Sequence, residues 1–67
     1  MAFQELKIGD TFEFPCDRMS YVKVSDNRYG SVRDITLCKK LGLEGLLFAI
    51  KIDPLDLVRT VKLVGRK

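Results

Sequence analysis

The side chains able to do chemistry in this chain are few. Histidine is absent from the 67 positions, which removes the usual general base near neutral pH and the commonest metal ligand. Cys16 and Cys38 stand 22 positions apart (38 − 16) and form no C-x-x-C pair. A four-ligand zinc site needs more thiolate or imidazole than this. No metal or other cofactor is expected. Residues 1–10 mix Phe3, Leu6 and Ile8 with Glu5, Lys7 and Asp10, which is unlike a signal peptide. With no dense cysteine framework either, both thiols are expected reduced, each a small core residue rather than a nucleophile. Asp10, Asp17, Asp26, Asp34, Asp53 and Asp56 fall at turns and caps, where a short carboxylate suits the backbone. Their spacing suggests no acid–base pair. Gly42-Leu43-Glu44-Gly45 lacks the further glycine and the Lys-Ser/Thr ending of a phosphate cradle. The chain is expected to have no catalytic residues and not to be an enzyme.

Binding chemistry is better supplied. Lys39, Lys40, Arg59, Lys62, Arg66 and Lys67 make up half of the twelve basic residues, yet the formal net charge is only +3. The isoelectric point is near 9.1. Lys39, Lys40, Arg59 and Lys62 with Tyr29 are the candidates for holding single-stranded nucleic acid, through phosphates and one stacked base. The bland alternative is a solvated face that keeps a small protein dissolved. The charge is weak for a domain living on phosphate contacts, and no aromatic cluster is apparent along the chain. A protein partner is therefore the leading expectation. Small β domains bind through loops and one exposed sheet face, so Tyr21, Lys23, Arg28, Tyr29 and Lys51 are the candidate contacts. Self-association through an exposed edge strand is a third reading. Residues 36–43 resemble the first half of a helix-turn-helix. The recognition helix would then be residues 44–52, which offer almost no polar side chains for base edges.

These residues must be positioned by short elements. Thr11-Phe12-Glu13-Phe14, closed by Pro15, alternates as a half-buried strand does. A turn at 16–20 leads to Tyr21-Val22-Lys23-Val24-Ser25, with Val22 and Val24 expected inward and Tyr21, Lys23 and Ser25 outward. Asp26-Asn27-Arg28-Tyr29-Gly30 is dense in turn formers. Residues 31–42 support two readings. Ser31-Val32-Arg33-Asp34 resembles a capping box, with Val32, Ile35, Cys38 and Leu41 on one helical face and Gly42 as C-terminal cap. Against this, Ile35-Thr36-Leu37-Cys38 favours a strand by composition, and the flanking strands tip the expectation that way. Residues 46–52 carry the strongest strand signal, with Phe48, Ile50 and Ile52 on one face and Lys51 opposite. Asp53-Pro54-Leu55-Asp56 is a turn, and residues 57–64 a last strand with Val61 and Leu63 sharing a face. Gly65-Arg66-Lys67 reads as a basic tail.

The length allows one small domain, covering 1–67. At this size only about 60% of the unfolded surface is buried on folding, so a partner chain could matter. Hydrophobic content of 46% argues against intrinsic disorder. The apolar run 46–50 is far too short to cross a bilayer. Four to five short antiparallel strands fit a mainly-β barrel or roll, with one short helix within 31–42 as the variant.

The pattern Phe3-x-x-Leu6-x-x-Gly9-Asp10-x-Phe12, then Tyr21-x-Lys23-x-Ser25-Asp26, a late apolar strand, a proline turn and a short valine-rich strand resembles a group of small uncharacterised bacteriophage and prophage proteins. The resemblance implies an SH3-like β-roll in a phage or mobile-element setting; with that setting the chain is expected in the cytoplasm of a bacterial host, and its expected protein partner is a host or viral one. The resemblance rests on core and turn positions, and carries no functional residues over. The stretch between Gly30 and Gly45 is longer than the usual connection, with room for an inserted helix.

Overall fold

The computed structural model describes residues 1–66. Five strands, β1 (Thr11–Glu13), β2 (Ser20–Ser25), β3 (Arg28–Ser31), β4 (Ile50–Lys51) and β5 (Lys62–Gly65), make one antiparallel sheet in the order β4-β3-β2-β1-β5. One helix, α1 (Val32–Leu41), lies between β3 and β4. Short 3-10 turns occupy Phe3–Glu5, Gly45–Phe48 and Pro54–Val58. The mainly-β expectation holds in this form, with its helical variant. Lys67, part of the expected basic tail, lies outside the described residues.

Residues 31–42 settle against the strand expectation. The Ser31 hydroxyl accepts a hydrogen bond from the Asp34 amide at 3.1 Å, satisfying one of the donors a helix start leaves open. Gly42 adopts the left-handed conformation with φ 72°, and its amide returns to the carbonyls of Cys38 and Lys39. Lys39 and Lys40 sit in the last turn, where the helix dipole favours cations. The β-prone Ile35-Thr36-Leu37-Cys38 loses because a helix buries Ile35 and Cys38 together, one turn apart. A strand would set them on opposite faces. Leu41, expected on the same face, is exposed.

Four further expectations are corrected. The side chains of β2 point the other way: Lys23 is buried, while Val22 and Val24 are half-buried on the opposite face. The strand at 46–52 shrinks to Ile50–Lys51 after a 3-10 turn, and Phe48 and Ile50 are exposed while Ile52 is buried. The last strand is likewise shortened by the 3-10 turn at Pro54–Val58. Of the two cysteines, Cys38 is fully buried as expected, but Cys16 is exposed beside the Arg59 guanidinium.

The main core lies on one face of the sheet. Phe3, Leu6, Phe12, Phe14, Ile52 and Val61 are buried there, with Tyr21, Tyr29, Leu57 and Leu63 packed against them. Register explains the grouping. Phe12 lies opposite Tyr21 and Leu63, and Lys23 opposite Tyr29, and cross-strand partners share a face. The N-terminal segment is tied down over this core by an Ala2–Thr60 bridge and by the Val61 amide donating to the Met1 carbonyl at 2.6 Å.

Candidate functional site

On the opposite face the sheet presents Thr11, Val22, Val24 and Gly30. Helix α1 packs over β2 and β3, where Gly30 leaves room for it. A β-carbon at Gly30 would stand 2.8 Å from Cδ1 of Ile35, so a glycine is what lets Ile35 descend onto the sheet. Ten residues of helix rise about 15 Å and cover only part of this face. What remains is a cleft of about 530 Å³. Its floor and walls include Thr11, Val22, Val24, Ile35 and Leu46. At its margins stand Ile8, Lys39 and Arg66. The lining is more apolar than polar, with basic groups at the edge, and the size falls within the range of ligand-binding clefts.

Arg66 is positioned by a carboxylate beneath it. Asp10 is buried, accepts from the Lys7 amide at 2.9 Å, and accepts from Arg66 Nε at 3.3 Å. The Lys7 amide, then Arg66, hold the Asp10 carboxyl below its usual range despite burial, which opposes this. Asp10 is therefore an ionised anchor that fixes the entry to β1 and one end of the cleft. Backbone bonds reinforce it: the Lys23 amide donates to the Asp10 carbonyl at 3.0 Å, and the Gly9 amide to the Lys23 carbonyl at 2.8 Å.

The residues singled out for protein binding divide in two. Arg28 and Lys51 are brought together, facing each other in register across β3 and β4, both exposed. Like charges in direct opposition repel, so this corner of the sheet favours an acidic group. Tyr21, Tyr29 and Lys23 turn instead to the core side. The aromatic cluster that was not apparent along the chain is assembled there: Phe3, Phe12, Phe14, Tyr21 and Tyr29 meet with ring centroids between 5.3 and 6.0 Å apart. Lys23 Nζ sits over the Phe3 ring at 4.9 Å and donates to the carbonyls of Phe3 and Leu6 at 3.2 and 2.7 Å. It clamps the N-terminal turn onto the sheet. Tyr21 donates its hydroxyl proton to Asp17, which pushes the phenol up to about 12 and lowers the carboxyl.

The residues singled out for nucleic acid do not converge on one surface. Lys39 and Lys40 end α1, and only Lys39 lines the cleft. Arg59 lies over the Phe14 ring at 5.2 Å on the core side of the sheet. Lys62 is on β5 opposite Glu13, and Tyr29 is half-buried among the aromatic rings. Sequence reasoning missed Ile8, Thr36, Leu46 and Gly65 as cleft residues. The signal available was the Val22-x-Val24 pair, but Lys23 between them, which reads as outward and is in fact buried, conceals which face is wet. Among the described residues no group of three or more His, Cys, Asp or Glu side chains could hold a metal ion. No helix among the described residues is long and apolar enough to cross a membrane.

Comparison of the chain with protein-family models, curated proteins and solved structures returns no match.

Proposed function

We propose that this chain is a non-enzymatic binding module of the SH3-like kind, encoded by a phage or related mobile element and acting in the host cytoplasm on a host or viral protein. The observation that carries the reading is the cleft, because it runs to Gly65 at the end of an outer strand and to Arg66 just beyond it. β5 pairs with β1 on one side only. An extended segment of a partner lies along the open side of β5 by main-chain hydrogen bonds, turns an apolar side chain over Gly65 into that end of the cleft, and sets an acid against Arg66. The strand order supports the SH3-like assignment: consecutive hairpin strands, a 3-10 turn, and a last strand that returns to the first.

Gly65 supplies the test. A β-carbon there meets nothing within 4 Å, so Gly65→Phe starts a side chain without a clash at its first atom and sets a ring at that end of the cleft; a circular dichroism spectrum like that of the wild type checks that the fold is kept. Tagged wild-type protein should capture a discrete protein from host lysate, and Gly65→Phe should lose it. Equal capture by both forms, or an empty eluate at high bait concentration, overturns the proposal. Capture that is abolished by nuclease and falls steeply between about 50 and 200 mM salt replaces it with the nucleic-acid reading.

A further inference from the structure

One apolar side chain does not fill the cleft. Its volume is about 530 Å³, whereas a cavity of about 150 Å³ holds a whole benzene ring. A partner's side chain entering over Gly65 takes one end, and leaves an apolar hollow against Val22, Val24, Ile35 and Leu46. A hollow of that kind suits a small ligand with an apolar body and one polar group to orient it.

The charge around the cleft is of one sign. Lys39 and Arg66 stand at its margins, and among the described residues no Asp or Glu lines it. Lys23 also borders it, but Lys23 Nζ is spent on the Phe3 and Leu6 carbonyls of the core face. Arg66 is the cation held ready for an anion. The buried Asp10 carboxylate accepts from its Nε at 3.3 Å, and the Arg66 side chain is still 44% exposed. With Nε engaged, the terminal amino groups are what a ligand meets, in the planar fork that matches an oxyanion.

The same surroundings limit that anion to a single charge. Asp10 offsets part of the Arg66 charge. Lys39 belongs to the last turn of α1, where the helix dipole opposes an anion. Phosphate is better served by the amides at a helix start, and α1 meets the cleft only from Ile35 onward. From these features we infer that the cleft binds a small amphipathic carboxylate, its anion on the Arg66 guanidinium and its apolar body against Val22, Val24 and Ile35. The ligand shares the cleft with the proposed function and needs no protein partner, so capture from lysate can fail while the ligand binds, and the reverse.

Octanoate is the probe, titrated into isotopically labelled protein and followed by its amide resonances, with octanol and acetate as controls. Octanoate should shift the amides of Thr11, Val24, Thr36 and Gly65, and leave those of Leu47 and Phe48 on the exposed apolar run unmoved. Octanol lacks the charge and acetate lacks the body, so each should bind weaker by about tenfold or more. Arg66→Gln should weaken octanoate by about the same factor and leave octanol unchanged. Arg66→Lys should recover only part of the loss, because a point charge lacks the fork. Should Arg66→Gln disturb the fold, the difference between octanoate and octanol in the wild type decides alone. No shift at millimolar octanoate overturns the inference. So do shifts centred on Leu47 and Phe48, octanol binding as tightly as octanoate, or a folded Arg66→Gln variant that binds octanoate unchanged.

Discussion

On one face of the sheet, five aromatic rings meet with Phe12 at their centre, edge to face except for the tilted Phe12–Tyr21 pair, roofed by the N-terminal turn and by Ile52 and Val61. On the other, a ten-residue helix lowers Ile35 and Cys38 onto Val22, Val24 and Gly30 and then ends, leaving a cleft. Both faces belong to the same strands, so the difference lies in what each has to cover it. The aromatic side is closed by residues from both ends of the chain, which makes it the seat of stability. The helix side is closed by one local insertion, which holds a shape and leaves surface for a ligand.

Deleting a side chain from each face should expose that asymmetry. Phe12 is fully buried and central to the ring cluster, so Phe12→Ala should cost about 3–5 kcal/mol. Ile35→Ala should fall at the low end of the about 2–5 kcal/mol for such truncations, because solvent in the neighbouring cleft can relax into the gap. Urea denaturation of the two variants reads both. Equal losses would mean that the helix side is as tightly filled as the aromatic side.

Lys23 is the polar member of the closed face. Lys23→Met keeps the length of the stem and removes the donor to the Phe3 and Leu6 carbonyls, for an expected loss of about 1–3 kcal/mol. Amide exchange should rise first in residues 3–6, since the clamp acts on that turn. A variant as stable as wild type would show that ring packing alone holds the N-terminal segment.

Gly30 probes the open face from beneath. Gly30→Ala pushes a methyl toward Ile35 Cδ1 and Cγ1, at 2.8 and 3.1 Å, and should cost about 1–2 kcal/mol through overpacking. Ile35→Val removes the Cδ1 atom, so the double variant should lose less than the two singles together. Simple additivity would mean that the helix shifts as a body and the close approach is not fixed. Ser31→Ala should follow at about 1 kcal/mol, the usual worth of an N-terminal cap, read as lost helicity as well as lost stability.

How far the sequence foretells this arrangement depends on whether a signal is local. The reversal at 26–27 and both caps of α1 are written in residues that act on their own backbone: Asn27 in the turn, Ser31 toward Asp34, and Gly42 at positive φ, although residues 28–30, expected within the turn, belong to β3. Those were legible, although β-branched composition argued against the helix between them. Lys23 was not, because a lysine flanked by valines reads as the wet side of a strand. Its burial depends on two carbonyls 20 and 17 positions away. The run 46–52 misled for the converse reason. Its apolar character is real, but whether Phe48 is covered depends on a surface elsewhere, and no element of the described chain supplies one. The cleft was illegible as a whole, since it is the area that α1 fails to reach.

The smallest effect concerns the rim of the aromatic side, where one hydrogen bond ties two titrations together. Tyr21 donates to Asp17, and burial adds to the effect, raising the phenol from 10.0 to about 12. The same bond, with help from the Met19 amide, lowers the Asp17 carboxyl from 3.8. The two signs give opposite windows. For Tyr21 the folded state holds its proton more tightly than the unfolded chain, so the stabilisation is complete below pH 10 and disappears as pH rises toward 12. For Asp17 the folded state holds its proton less tightly, so the stabilisation is present above pH 3.8 and is lost as pH falls through the lower folded value. Tyr21→Phe should therefore weaken the pH dependence of stability at both ends while changing it little near neutrality. The tyrosinate absorbance lost in that variant should belong to a group titrating near 12. A missing component near 10 would show that Tyr21 is open to water, and the edge of the aromatic face would then be as permeable as the cleft.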